Sequence, residues 1–110
     1  MAGRVDMGRG DIWTYEFPRP DKRRPVLIIS RAEAIAVLHP VMIAPITSTI
    51  RGLPSEVIVG ITEGLKHDSA VNLDHIQTVE RARLSHYLGR LSNEKMRAVC
   101  RAIAVATGCG

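Results

Sequence analysis

The chain has 110 residues, 45% of them hydrophobic and 24% charged. That length carries one core, and that composition excludes a disordered tail, a collagen-like repeat and a disulfide scaffold. The net charge is +4, and twelve of the fifteen basic residues are Arg, whose planar fork suits phosphates and base edges; GC-rich coding explains the Arg excess equally well, so charge alone does not name a partner.

No apolar run approaches the roughly 18 residues of a membrane span, and Met1-Ala2-Gly3-Arg4-Val5-Asp6 lacks the apolar segment of a signal peptide. The expectation is a cytoplasmic protein with no membrane partner, folded as a single domain over 1–110 with 1–7 as a flexible N-terminus. Cys100 and Cys109 form no Cys-x-x-Cys pair and have no His cluster beside them, which reads as a reduced protein without metal or other cofactor.

In chain order, Trp13, Tyr15 and Phe17 alternate with Thr14 and Glu16 after Gly10, the pattern of a half-buried first strand over 9–17. Pro18 to Pro25 holds three prolines, Asp21 and the consecutive cations Lys22, Arg23 and Arg24, which predicts an exposed basic loop. Val26 to Ile29 and Val41 to Thr47 are apolar on both faces, as central strands are, with Pro45 marking a bulge or strand edge. The segment from Arg31 to Leu38 between them reads as a loop or a single helical turn. Further short strands are expected over Pro54 to Val59 and Ala70 to Leu73, with one more strand and a turn within 76–84.

The period then changes. Leu91, Met96, Val99, Cys100, Ile103 and Ala104 recur at three-and-four spacing, Ser92 or Asn93 can cap the start, and Gly108 suits the stop. This predicts a terminal helix whose apolar residues, Met96, Val99, Cys100 and Ile103, pack on the barrel or a dimer seam rather than form a ligand pocket. Many short strands followed by one helix argue for a mostly β fold, a small and strongly bent sheet or barrel.

Acyl transfer, nucleotide hydrolysis and zinc proteolysis have no motif here: Gly-x-Ser-x-Gly, Gly-x-x-x-x-Gly-Lys and His-Glu-x-x-His are all absent. Three polar features remain: the basic run ending in Arg24-Pro25, the hydroxyls Thr47-Ser48-Thr49, and the cluster Asn72, Asp74, His75 and Gln77. Each alone reads more simply as a solvated surface. Together they permit cleavage of RNA without metal, which needs cations and hydroxyls at a phosphate while the substrate supplies its own 2′-hydroxyl.

The runs Arg9-Gly10-Asp11-Ile12-Trp13, Arg24-Pro25-Val26-Leu27-Ile28-Ile29, Ile43-Ala44-Pro45-Ile46-Thr47-Ser48, Leu53-Pro54-Ser55-Glu56-Val57 and Asp68 to Val79 occur in an order and spacing that resembles the MazF/PemK-type toxins, the mRNA interferases of type II toxin-antitoxin systems. Arg83-Leu84 and Leu88-Gly89-Arg90-Leu91 continue the likeness, which covers about residues 8 to 107. The resemblance implies an SH3-like small β-barrel of the CcdB/PemK type with a C-terminal helix, and a homodimer. It further implies sequence-specific, metal-independent cleavage of single-stranded RNA (mRNA) that leaves a 2′,3′-cyclic phosphate and a 5′-hydroxyl, with a cognate antitoxin protein occupying the RNA channel.

By motif, Arg24 and Thr47 match the family's catalytic pair; the residues alone leave Thr47, Ser48 and Thr49 equivalent. An arginine stays protonated, so Arg24 is assigned to the charge of the pentacovalent phosphate. Arg9, Lys22, Arg23, Ser48, Asn72, Asp74, His75 and Gln77 are the expected RNA contacts, with His75 open as a general base. The loop from Pro18 to Arg24 is shorter than in many relatives and lacks their Gly-rich run after an acid, so no carboxylate role transfers to Glu16 or Asp21. Two other readings stand beside the nuclease: a non-enzymatic gyrase poison of the CcdB type, and a catalytically degenerate binder of RNA or antitoxin.

Overall fold

The computed structural model describes residues 6–18 and 22–109. Its seven strands are β1 (Asp11–Glu16), β2 (Arg23–Ile28), β3 (Pro40–Thr47), β4 (Glu56–Val59), β5 (Ser69–Asn72), β6 (Gln77–Glu80) and β7 (Leu84–Arg90), with helices α1 (Ala32–Val37) and α2 (Asn93–Thr107). All the pairings are antiparallel and run in the order β4-β5-β3-β2-β1-β7, with β6 also on β3. The sheet curls into a half-barrel closed on one side by α2, the mostly β fold with a terminal helix that the sequence leads one to expect.

The central strands bury both faces. Leu27 of β2 and Ala44 and Ile46 of β3 join Ile12 and the α2 residues Val99 and Ala102 in one core, while Val26, Ile28, Val41 and Ile43 join Trp13 and Tyr15 in the other. The alternation along β2 and β3 is thus the period-2 signal read twice, once for each face. Tyr15 and Phe17 meet edge to face with ring centroids 4.6 Å apart, which anchors the aromatic strand at its C-terminal end.

Three expectations are corrected. Arg23, Arg24 and Pro25 belong to strand β2, where they pair with Glu16, Tyr15 and Thr14 of β1; residues 19–21 of the expected loop lie outside the described residues. The ladder from β2 to β3 begins only at Val26, so this stretch is an edge, where proline and exposed cations are tolerated. Residues 84–90 form an unforeseen strand, β7, which is mostly exposed and pairs with β1 through two register shifts. The segment at 32–37 is a six-residue helix, fixed at its end by Arg81, whose Nη2 donates to the carbonyls of Ile35 and Leu38.

Helix α2 is capped as expected: the Ser92 hydroxyl accepts from the Lys95 backbone N–H at 3.1 Å, and Gly108 closes it at φ 75°. Val99, Ala102, Met96 and Ile103 pack on the core. Cys100 does not pack on this core; in the single chain it is exposed, with Arg9 Nη2 3.4 Å from its sulfur, because a turn of about 100° per residue carries it to the flank of the buried stripe.

One crossing closes the barrel. A Cβ on Gly64 would lie 2.1 Å from the Leu88 carbonyl oxygen, and one on Gly89 would lie 2.1 Å from that of Glu63. Only glycine at both positions lets the segment after β4 cross β7 backbone to backbone.

Candidate functional site

The site begins where β2 and β3 part. Their ladder runs Ile28↔Ile43, Leu27↔Ala44 and Val26↔Pro45, and there it stops. Beyond that point Arg24 stays paired with Tyr15 on the β1 side and Thr47 with Ala70 on the β5 side. Continuing the register by two residues brings Arg24 and Thr47 to the same level across the opening, on the same face of the pleat. On the far side of β3 the ladder to β6 ends at Ile43 and that to β5 begins at Ile46, so Pro45, which lacks an N–H, sits in the break between the two.

Register also separates the three hydroxyls. Thr47 shares a pleat face with Ile43, and Ser48 shares the other with Ile46. The Thr47 hydroxyl oxygen accepts from the Thr49 backbone N–H at 3.1 Å, which leaves its proton available to donate. The loop beyond is held by Glu56, whose Oε1 accepts from the backbone N–H groups of Arg51, Gly52 and Leu53.

The mouth of the barrel opens beside Arg24 as a groove of about 580 Å³, whose lining takes Ile46 and Ser48 from β3 and its end but not Thr47. Its walls carry Lys22, Arg23 and Arg24 from the start of β2, Ser48 from the end of β3, and Lys66, His67 and Ser69 from the segment leading into β5; Pro25, Ile46, Leu65 and Leu88 form the apolar floor. Among the described residues the lining contains no carboxylate. A concave wall of one sign over an apolar floor focuses a positive potential, a setting that draws phosphate groups.

Of the expected RNA contacts, Lys22, Arg23 and Ser48 join Arg24 at this groove. Asn72, Asp74, His75 and Gln77 lie along the turn from β5 to β6, where His75 and Gln77 are exposed. Asn72 and Asp74 are engaged locally: Asn72 Oδ1 accepts from the Asp74 N–H at 3.0 Å, and Asp74 Oδ2 accepts from the Ser55 hydroxyl at 2.5 Å. These bonds fix the turn that carries His75. Arg9 stands apart, since its Nη1 donates to the Ile29 carbonyl just past the C-terminal end of β2, about 17 Å along the chain from Arg24 at strand spacing.

Ser69 and Leu88 were singled out from the sequence only as parts of the runs that carry the resemblance, and Leu65, Lys66 and His67 not at all. Their one signal is the basic pair Lys66-His67 directly before a strand, which by itself reads as a solvated turn. Among the described residues, no three or more His, Cys, Asp or Glu side chains gather as a metal-ligand set.

Residues 8–107 match the model of the PemK-like, MazF-like toxins of type II toxin-antitoxin systems. The chain belongs to this family. It is 44% identical over 102 residues to the probable endoribonuclease MazF5 of Mycobacterium tuberculosis, covering 92% of this chain and 93% of that one. Among solved structures it is similar to the Mycobacterium tuberculosis toxin MazF-mt6, with 36% identity, a TM-score of 0.84, and 91% and 98% of the two chains covered. A mycobacterial endoribonuclease in complex with its cognate antitoxin superposes with a TM-score of 0.83 at 27% identity, over 94% of this chain and 97% of that one. As in these MazF/PemK toxins, the fold is a curled antiparallel sheet with a closing helix.

Proposed function

We propose that this MazF/PemK-type chain is a toxin endoribonuclease that cuts single-stranded RNA at a short sequence without a metal, acts as a homodimer and is neutralised by a cognate antitoxin protein. The observation that carries the reading is the β2–β3 register, which, continued past Val26 and Pro45, sets Arg24 level with Thr47, while Arg24 also lines a groove with cationic walls. Relatives named as endoribonucleases, and one solved with its antitoxin, support it.

The chemistry follows from the groups present. The 2′-hydroxyl of the substrate attacks the adjacent phosphorus, and the bond to the 5′-oxygen breaks. A 2′,3′-cyclic phosphate and a 5′-hydroxyl result; the proton lost by the 2′-oxygen is balanced by one gained at the leaving oxygen. Arg24 holds the extra negative charge of the five-coordinate phosphate, a preorganised cation whose effect grows as water leaves the groove. Thr47, its oxygen turned toward the Thr49 N–H, donates its own proton to a phosphate oxygen. His75 and Gln77 on the neighbouring turn supply donors and acceptors for the edges of unstacked bases.

The test is incubation of the purified protein with a long unstructured RNA in EDTA, with mapping of the new 5′ ends. Cuts at a short recurring sequence with cyclic phosphate termini are expected. Intact RNA, or cuts that need added magnesium, overturns the reading. Inhibition of gyrase supercoiling with RNA untouched places the chain with the gyrase poisons instead.

A further inference from the structure

We propose that the barrel mouth is a nucleotide subsite that seats one unstacked RNA base next to the cleaved bond, with His67 reading its edge. The proposal rests on the nuclease reading above and adds to it a residue outside the motifs of the resemblance.

The groove's volume of about 580 Å³ falls within the roughly 300–1,000 Å³ of small-molecule sites. Its two zones suit the two halves of a nucleotide. The floor of Ile46, Leu65 and Leu88 offers apolar surface to the flat face of a base, and the lining cations Arg23, from β2, and Lys66, from the segment before β5, suit its phosphates. Arg24 belongs both to this lining and to the pair with Thr47. A strand whose phosphate lies at Arg24 therefore places a neighbouring nucleotide in the mouth, which is why RNA is favoured here over an acidic peptide.

His67 is built to present one particular atom. The Ser69 hydroxyl, itself buried, donates to the His67 carbonyl at 3.2 Å, so the backbone is held from below. The ring Nδ1 lies 3.3 Å from the Asp68 carbonyl oxygen, a partner that can only accept, so the contact is a hydrogen bond in the tautomer protonated at Nδ1. In the neutral ring this leaves Nε2 as an acceptor. An acceptor at the rim of an apolar slot selects a base that offers an amino or imino N–H there.

The experiment uses the full chain and a randomised single-stranded RNA pool, comparing wild type with His67→Ala. Expected are a KM about tenfold higher against a smaller change in kcat, and loss of preference at a single position adjoining the cut while the other positions keep theirs. An unchanged KM and an unchanged cleavage pattern overturn the subsite, as does a loss of preference at every position accompanied by a lower Tm, which is the mark of a purely structural role. If wild type cuts no RNA the nuclease reading fails separately. Fluorescence anisotropy with a labelled unstructured RNA then decides the subsite: about tenfold weaker binding by His67→Ala sustains it, and equal binding overturns it. Poly-glutamate that binds wild type but not His67→Ala, with all RNA parameters equal, assigns the groove to an acidic protein segment and overturns the proposal.

Discussion

Two grooves of this half-barrel carry four and three Lys or Arg side chains, yet those cations are used differently. The mouth, about 580 Å³, sets Lys22, Arg23, Arg24, Lys66 and His67 around an apolar floor with no carboxylate among the described lining residues. The second groove, about 790 Å³, runs between β4 and the start of α2 and mixes Arg90, Lys95 and Arg101 with Glu63 and Glu94. There the Lys95 ammonium lies 3.3 Å from buried Glu63 and donates to the Ile58 carbonyl at 2.8 Å, while Glu63 also accepts from the Gly60 N–H. Lys95 is consumed in holding α2 to the sheet. The net charge of +4 is therefore a poor guide to function; what matters is whether the cations of a groove share its walls with carboxylates.

The Gly64–Gly89 crossing is the wall between the two. Gly64 and Leu88 face the mouth, and their neighbours Glu63 and Arg90 face the second groove. The same backbone contact thus shapes the cationic mouth on one side and a structural joint on the other.

Substitutions can break this contrast at graded cost. The largest effect is expected for Thr47→Ala, which on the proposed mechanism removes a proton donor from the phosphate and lowers kcat of RNA cleavage by about 10³-fold with the Tm retained; Thr47→Ser, measured in the same assay, recovers most of it. Gly89→Ala drives a methyl into the Glu63 carbonyl and is expected to cost about 3 kcal/mol in urea unfolding, impairing both grooves together. Lys95→Met strands the buried Glu63 carboxylate and is expected to cost about 2 kcal/mol of stability, while the cleavage rate per folded molecule is unchanged. Ser92→Ala removes the N-cap of α2 at about 1 kcal/mol, readable as a shift in the thermal midpoint alone.

Regions of the molecule differ as much in how legible they are from the amino-acid sequence. Helix α2 is legible because its cap, its stop and its apolar stripe agree, and β1 because three aromatics alternate. Strand β7 is not: from Ser85 to Leu88 every residue is exposed on a sheet edge, whichever face it points to, so no alternation of burial records it. The basic run at Lys22–Arg24 reads as a loop because cations repel a packed interior, and nothing local reveals that β1 holds Arg23 and Arg24 in a ladder. Arg24 and Thr47 are recognisable by motif alone; that they reach the same level is a property of register between strands about twenty residues apart. Lys66 and His67 carry no pattern at all, since their surroundings are assembled by the Gly64–Gly89 crossing from segments distant in sequence.

If the two grooves divide the work in this way, cations at the mouth act on RNA and those at the second groove do not. Single-turnover cleavage of one RNA by Arg24→Ala and by Arg101→Ala is the sharpest test, because both remove the same charge from exposed positions. The expected result is a loss of about 10³-fold for Arg24→Ala and a rate within about twofold of wild type for Arg101→Ala. Equal losses in the two variants, or full activity in both, would refute the division.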